Sequence, residues 1–182
     1  MSAADLLRNV VEALDDAGVP YMLVGSFAST SHGAPRATQD IDVVIDPTPE
    51  SLDRFLDAFD TERVYVSSSA HAALASRDQF NLIDTASGWK VDLIVRKDRP
   101  FSVSEFARRQ PTRMLGIDVW VATAEDTILA KLEWAALGQS DRQVADAATV
   151  LTVGADALDH DYLTHWAAEL GVSDLLDRAR GG

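Results

Sequence analysis

The 182-residue chain has no cysteine. That removes disulfides, thiolate metal sites and cysteine nucleophiles, and it fits a cytoplasmic protein. Long apolar runs are missing too. No stretch approaches the roughly 20 residues that span a bilayer, so a membrane protein is not expected. Basic residues are scarce: 16 Lys and Arg stand against 29 Asp and Glu, a net charge of −13. A diffuse acidic surface repels phosphate backbones and argues against broad, non-specific nucleic-acid binding. There is no Gly-x-Ser-x-Gly elbow, which disfavours a serine hydrolase. The N-terminus lacks the basic flank and continuous apolar core of a signal peptide. Instead Leu6, Leu7, Val10, Val11 and Leu14 follow helical spacing.

What is present is a globular composition, 47% hydrophobic and 25% charged, long enough for one domain or a domain with a small appendage. The first helix stops at Gly18 and Pro20. "YMLV" (21–24) and "DIDVVID" (40–46) read as strands, with a short helix over 27–33 between them. Leu52, Phe55, Leu56 and Phe59 mark a second amphipathic helix. "RVYVS" (63–67) is a short strand, and "QFNLID" and "WKVDLIV" flank the turn "TASG" as a hairpin. A further hairpin joins "TRML" to "IDVWVA" through Gly116. The Thr-x-x-Asp of "TAED" (123–126) then opens a helix that runs to Gly138. Residues 141–151, 161–170 and 173–180 read as helical. The expected fold is α/β: a mixed sheet of about five strands flanked by helices over 1–121, then a helical region over 122–182 that packs on it.

The anomaly lies in "LVGSFASTSHGAPRATQDIDVVID" (23–46). Alternate side chains of a strand share a face, so Asp40 and Asp42 point together while Ile41 and Val43 enter a core. Two such carboxylates repel each other unless a cation lies between them. Asp92 interrupts another apolar strand in the same way. If the two strands are neighbours, three carboxylates converge, a ligand set suited to a hard ion such as Mg²⁺ (or Mn²⁺) and to two-metal phosphoryl transfer. Gly25-Ser26 supplies a complementary element where a strand gives way to a helix. Gly25 allows close approach to the backbone, and the free N–H groups with the Ser26 hydroxyl can hold phosphate oxygens.

The order apolar-Gly-Ser, thirteen residues, Asp-apolar-Asp, then a later lone strand Asp resembles the signature of the DNA polymerase β-like nucleotidyltransferase superfamily. "HGAPRATQDIDVVID", with "AEDTILAKLEWAALGQSDRQVADAATVL" (124–151), is similar to the bacterial abortive-infection (AbiEii-type) nucleotidyltransferase toxins and their relatives. Many relatives carry Gly-Gly where this chain has Gly25-Ser26. The resemblance implies that Asp40 and Asp42 ligate the metals and that Asp92 completes the catalytic metal site and helps activate an acceptor hydroxyl. It also implies that Ser26 binds the β- or γ-phosphate and that Lys131 reaches the triphosphate. Arg36 and Thr38 are candidate nucleotide contacts. The implied reaction moves a nucleoside monophosphate from a nucleoside triphosphate to a hydroxyl of tRNA, a protein or a small molecule such as an aminoglycoside. A toxin role with a small antitoxin partner follows from resemblance alone.

Other readings compete. A catalytically weak relative acting as a binding module, an antitoxin or a nucleotide sensor, is the alternative function. "DIDVV" also fits the opening of haloacid-dehalogenase phosphatases, but that motif follows an apolar strand and here "PRATQ" precedes it. Lys131 at the edge of an apolar stripe is equally a snorkelling lysine. His32 sits at a helix end, a structural position. Asp141, Arg142 and Asp146 fit a solvated helix face, and Asp46 fits an exposed strand end. Trp89, Trp120, Trp134 and Trp166 are expected in the core or in domain contacts rather than as base-stacking platforms. Residues 96–113 hold six basic residues (Arg96, Lys97, Arg99, Arg108, Arg109, Arg113) against Asp98 and Glu105. That local charge of +4 leaves −17 elsewhere and makes the segment a candidate RNA-docking patch.

Overall fold

The computed structural model describes residues 2–35, 38–60 and 62–181. Among these the chain forms seven strands and nine helices in a mixed α/β arrangement. The strands are β1 (Tyr21–Leu23), β2 (Asp40–Ile45), β3 (Val64–Val66), β4 (Gln79–Asp84), β5 (Lys90–Val95), β6 (Gln110–Met114) and β7 (Ile117–Val121). They make one sheet in the order β3-β4-β5-β2-β1-β7-β6. The expected five strands become seven because the β6–β7 hairpin docks on β1 through a parallel Leu23–Val121 pairing, while β3 extends the other edge.

The helices follow their local signals. α1 (Ala3–Ala17) starts at a reciprocal Ser2–Asp5 capping box and ends at left-handed Gly18. The "PTPE" break contains a second box, Thr48–Ser51, which opens α3 (Pro49–Asp57) with proline in its first turn. α2 (Gly25–Ser31) begins two residues earlier than the sequence suggests, on Gly25 itself. Two helices escape the sequence reading: α4 (Ala70–Ser76) and α5 (Pro100–Arg108). The second lies inside the basic segment and is anchored by buried Phe101 and Phe106. α6 (Ala124–Gly138), α7 (Asp141–Val153), α8 (His160–Glu169) and α9 (Ser173–Arg180) complete the chain.

Buried side chains form two clusters. One joins α1, α3 and the sheet, and includes Leu6, Leu14, Leu52, Phe55, Ile41, Val43, Val91 and Leu93. The second joins α6 to α9 through Ile128, Leu129, Leu132, Val150, Leu163 and Leu176, with Ala34 and Phe101 contributed from earlier in the chain. Among the described residues no helix is long and apolar enough to cross a membrane.

Candidate active site

The site is set by register. β2 and β5 run parallel, with Asp40 opposite Lys90, Ile41 opposite Val91 and Asp42 opposite Asp92. Partners in a strand pair project to the same face. Ile41, Val91, Val43 and Leu93 therefore enter the sheet's core, while Asp42 and Asp92 stand side by side on the other face. There a cleft of about 310 Å³ opens between the sheet, α2, α5, α6 and α7. Gly25, Ser26, Thr38, Asp40, Asp42, Asp92 and Lys131 all line it. Arg36, a further candidate from the sequence, lies outside the described residues.

Asp42 packs against the start of α2. Gly25 takes φ +61°, and a Cβ there would lie 2.1 Å from Asp42 Oδ2. Only glycine fits. Ser26 follows it in the first turn of α2 and is buried. Asp40 stands at the mouth, pinned by Thr38: its backbone N–H donates to Thr38 Oγ1 at 3.1 Å, and that hydroxyl donates to Asp40 O at 3.2 Å.

Lys90 enters the carboxylate group from β5. Its Nζ is 2.8 Å from Asp92 Oδ2 and 3.6 Å from Asp40 Oδ1. The three aspartates thus share one cleft, but an ammonium stands between two of them. Among the described residues no three acidic, histidine or cysteine side chains are already gathered about a single ligating point. Burial, then the neighbouring Asp92 and Asp40, push the Asp42 carboxyl up to about 6, and Lys90 and Lys131 only partly offset this. An all-oxygen carboxylate set whose charges repel is chemically suited to a hard divalent cation.

The opposite wall is α6. Lys131 is only 5% exposed and donates to Asp146 Oδ2 at 3.3 Å. It is a buried cleft residue rather than a snorkelling one. Asp146 likewise faces Lys131 from α7, not open solvent.

Several cleft residues carry no clear sequence signal. Asp126 reads as a capping residue, and Thr123 Oγ1 does accept from its N–H. Its carboxylate, however, is fully buried and accepts from Thr123 at 2.7 Å, Tyr162 at 2.6 Å and Arg108 at 3.4 Å. Glu105 on α5 joins it at the cleft wall, its carboxyl raised to about 8 by burial and then by Asp126. Thr127 Oγ1 and Gln143 Oε1 also border the cleft and are buried without a hydrogen-bond partner. The one usable signal is spacing: Thr127, Lys131 and Trp134 fall at i, i+4 and i+7, one face of a helix.

Two other expectations are corrected. Asp46 is half-buried and accepts from Arg96 Nε at 3.0 Å, because the β2 and β5 ends lie side by side. Trp134 is 59% exposed and lines the cleft, in neither a core nor a domain contact. Trp166 does pack in the helical cluster, tilted on Phe101. His32 is structural, its Nε2 donating to Ala122 O at 2.7 Å.

The basic segment is largely neutralised within the chain. Arg96 pairs with Asp46, Arg99 with Glu133, Arg108 with Glu125 and Asp126, and Arg113 with Asp118. Arg109 lies over the Phe106 and Trp120 rings.

Comparison with solved structures gives a consistent result. The antibiotic-resistance factor ANT(2'')-Ia aligns over 98% of this chain and 96% of its own, with a TM-score of 0.62 at 12% identity. An antigenic nucleotidyltransferase-like protein of Paracoccidioides brasiliensis covers 95% of this chain and 90% of its own, with a TM-score of 0.57 at 20% identity. A Thermotoga maritima protein assigned as a nucleotidyltransferase covers 74% and 86%, with a TM-score of 0.53 at 20% identity. The chain has the nucleotidyltransferase fold. No protein-family model and no curated protein matches its sequence.

Proposed function

We propose that the protein is a nucleotidyltransferase that moves a nucleoside monophosphate from a nucleoside triphosphate to a hydroxyl acceptor. The observation that carries this reading is the Asp42–Asp92 pair in parallel register with Gly25 directly against Asp42. It brings the first turn of α2 into direct contact with one of two carboxylates that share a cleft.

Asp42 and Asp92, with Asp40 at the mouth, would hold a divalent cation such as Mg²⁺ or Mn²⁺. When bound, that ion supplies charge neutralisation at the triphosphate. The chain's own residues do the rest. Gly25 lets the Asp42 carboxylate sit against the start of α2, and the Ser26 N–H and hydroxyl hold the phosphate oxygens beside it. Lys131 adds positive charge from the facing wall. Asp92 orients the acceptor hydroxyl and takes its proton as the acceptor oxygen bonds to the α-phosphorus. The bond from the α-phosphorus to the β-bridging oxygen breaks, and pyrophosphate leaves. Alignment within the cleft, rather than a covalent intermediate, accounts for the rate.

The acceptor that fits is a small hydroxylated molecule with cationic groups. Asp40, exposed at the mouth, gives the cleft entrance acidic character, and most arginines of 96–113 are paired within the chain. ANT(2'')-Ia has been crystallised in complex with adenylyl-2''-tobramycin. The toxin and antitoxin readings rest on sequence resemblance alone, and the RNA-acceptor reading on resemblance and on a basic segment whose arginines are mostly paired within the chain.

Lys90 favours one second reading, a nucleotide-binding module, because its ammonium already stands where a cation would lie between Asp92 and Asp40. Incubation with Mg²⁺, each α-labelled triphosphate and a panel of amino alcohols, tRNA and total RNA separates the two. The enzyme transfers label, and Asp42→Asn lowers transfer by more than the roughly 10–100-fold that loss of an outer-shell partner costs a metal site. Triphosphate binding without transfer to any acceptor, unchanged in Asp42→Asn, identifies the module and rejects the enzyme.

A further inference from the structure

The triphosphate and metal half of the cleft leaves its outer wall unexplained. There an indole and an amide present themselves to the same space. Trp134 is a large aromatic left 59% exposed at the end of α6, three residues from Lys131 and on the same helix face. Leaving that much indole in water wastes its burial, unless something covers the ring. Gln143, in the first turn of the next helix, lines the same cleft with its Oε1 buried and without a hydrogen-bond partner. An unmet buried acceptor is costly, and a turn of the amide into the cleft would let a ligand donor remove the cost.

We propose that Trp134 and Gln143 form the nucleobase subsite, with the base stacked on the indole and its edge read by the amide. This rests on the nucleotidyltransferase reading and extends it to base choice. Stacking on an aromatic ring is available to every base and contributes affinity without sequence preference. The amide supplies the preference. Its unmet atom is an acceptor, so it calls for an amine, and its NH₂ group can return a bond to a neighbouring ring nitrogen. Adenine carries that pair, which is why glutamine is a bidentate adenine reader elsewhere. Uracil places a carbonyl where adenine has its amine. Lys131, one turn before Trp134 on α6 and lining the same cleft, would then meet the phosphates of a nucleotide whose base lies on the indole.

The test is calorimetric binding of ATP, UTP and inorganic tripolyphosphate, each with Mg²⁺, to the wild type, Trp134→Ala, Trp134→Phe and Gln143→Ala. The thermal midpoint of each variant is measured in parallel. Trp134→Ala is expected to weaken ATP roughly 5- to 150-fold and to leave tripolyphosphate unchanged, with Trp134→Phe restoring most of the loss. The wild type is expected to prefer ATP over UTP by about tenfold, and Gln143→Ala to abolish that preference. ATP binding that survives Trp134→Ala, or that falls in step with tripolyphosphate, overturns the stacking role. A base preference identical in wild type and Gln143→Ala overturns the reading role. A wild type that binds neither triphosphate sinks the nucleotidyltransferase reading itself, and the wild-type control shows which of the two has failed.

Discussion

At the scale of single residues, the site turns on Gly25. Its positive φ and the 2.1 Å that would separate a Cβ from Asp42 Oδ2 leave no space for a methyl group. Gly25→Ala is therefore expected to displace the Asp42 carboxylate and strain the turn by about 1–3 kcal/mol. Nucleotidyl transfer should fall at least about tenfold, by the misplacement argument, while the chain stays folded by circular dichroism. Glu105 gives a second prediction. Its carboxyl is buried among Asp126 and Glu133 of α6, the Arg99 guanidinium and the Ser102 hydroxyl, with burial the leading cause of its upward shift to about 8. An unfolded glutamate titrates near 4.5. Between those values the folded state holds one more proton than the unfolded state, so stability falls as pH rises, by about 1.4 kcal/mol per pH unit from this group. Glu105→Gln should flatten that decline between pH 5 and pH 8, as read by chemical denaturation at a series of pH values. A decline unchanged in the variant assigns it to other groups.

The residues of this scale divide by what makes them visible in sequence. Asp40, Asp42 and Asp92 stand out because a carboxylate in an apolar strand contradicts packing. Glu105, Asp126 and Gln143 do not, because acidic and amide residues on helices are ordinary until tertiary packing buries them. Asp126 was doubly hidden, since its capping position already explains it.

At the scale of elements, the parallel β2–β5 pairing makes the site. A slip of one residue would turn Asp92 to the sheet's other face. The alternation of Asp40–Ile41–Asp42–Val43 with Val91–Asp92–Leu93 fixes the register, since Ile41, Val43, Val91 and Leu93 must all be buried. That pairing could be posed from sequence only as a condition, because strand order depends on long-range docking. α5 was illegible for a different reason: its flanking arginines read as surface, whereas Arg99 and Arg108 bridge to Glu133, Glu125 and Asp126 of α6. α6 in turn carries Lys131 toward the cleft and the adjacent Leu132 in the helical cluster. Leu132→Ala removes a fully buried side chain from the helical cluster and should cost about 2–5 kcal/mol. Because the same helix forms the cleft wall, triphosphate affinity should drop with stability. Affinity retained at wild-type level would show that α6 does not position Lys131.

At the scale of the whole molecule, two hydrophobic clusters flank one cleft: a sheet with α1 and α3 on one side, a bundle of α6 to α9 on the other. The seven-stranded fold places Gly25-Ser26, the three aspartates and Lys131 where these two bodies face each other. The acidic excess includes the carboxylates of the cleft itself, and most arginines of the apparent basic patch pair with acidic residues of the same chain. The central claim is that this cleft holds a divalent cation between Asp42 and Asp92 with a triphosphate on Gly25-Ser26. A crystal structure with Mn²⁺ and a non-hydrolysable triphosphate, phased to show manganese by anomalous scattering, tests it most directly. The account predicts a manganese peak bridging the two aspartates and phosphate oxygens, with Lys90 turned away from Asp92. Nucleotide bound elsewhere, or bound with the Lys90–Asp92 pair intact and no manganese beside it, would contradict it.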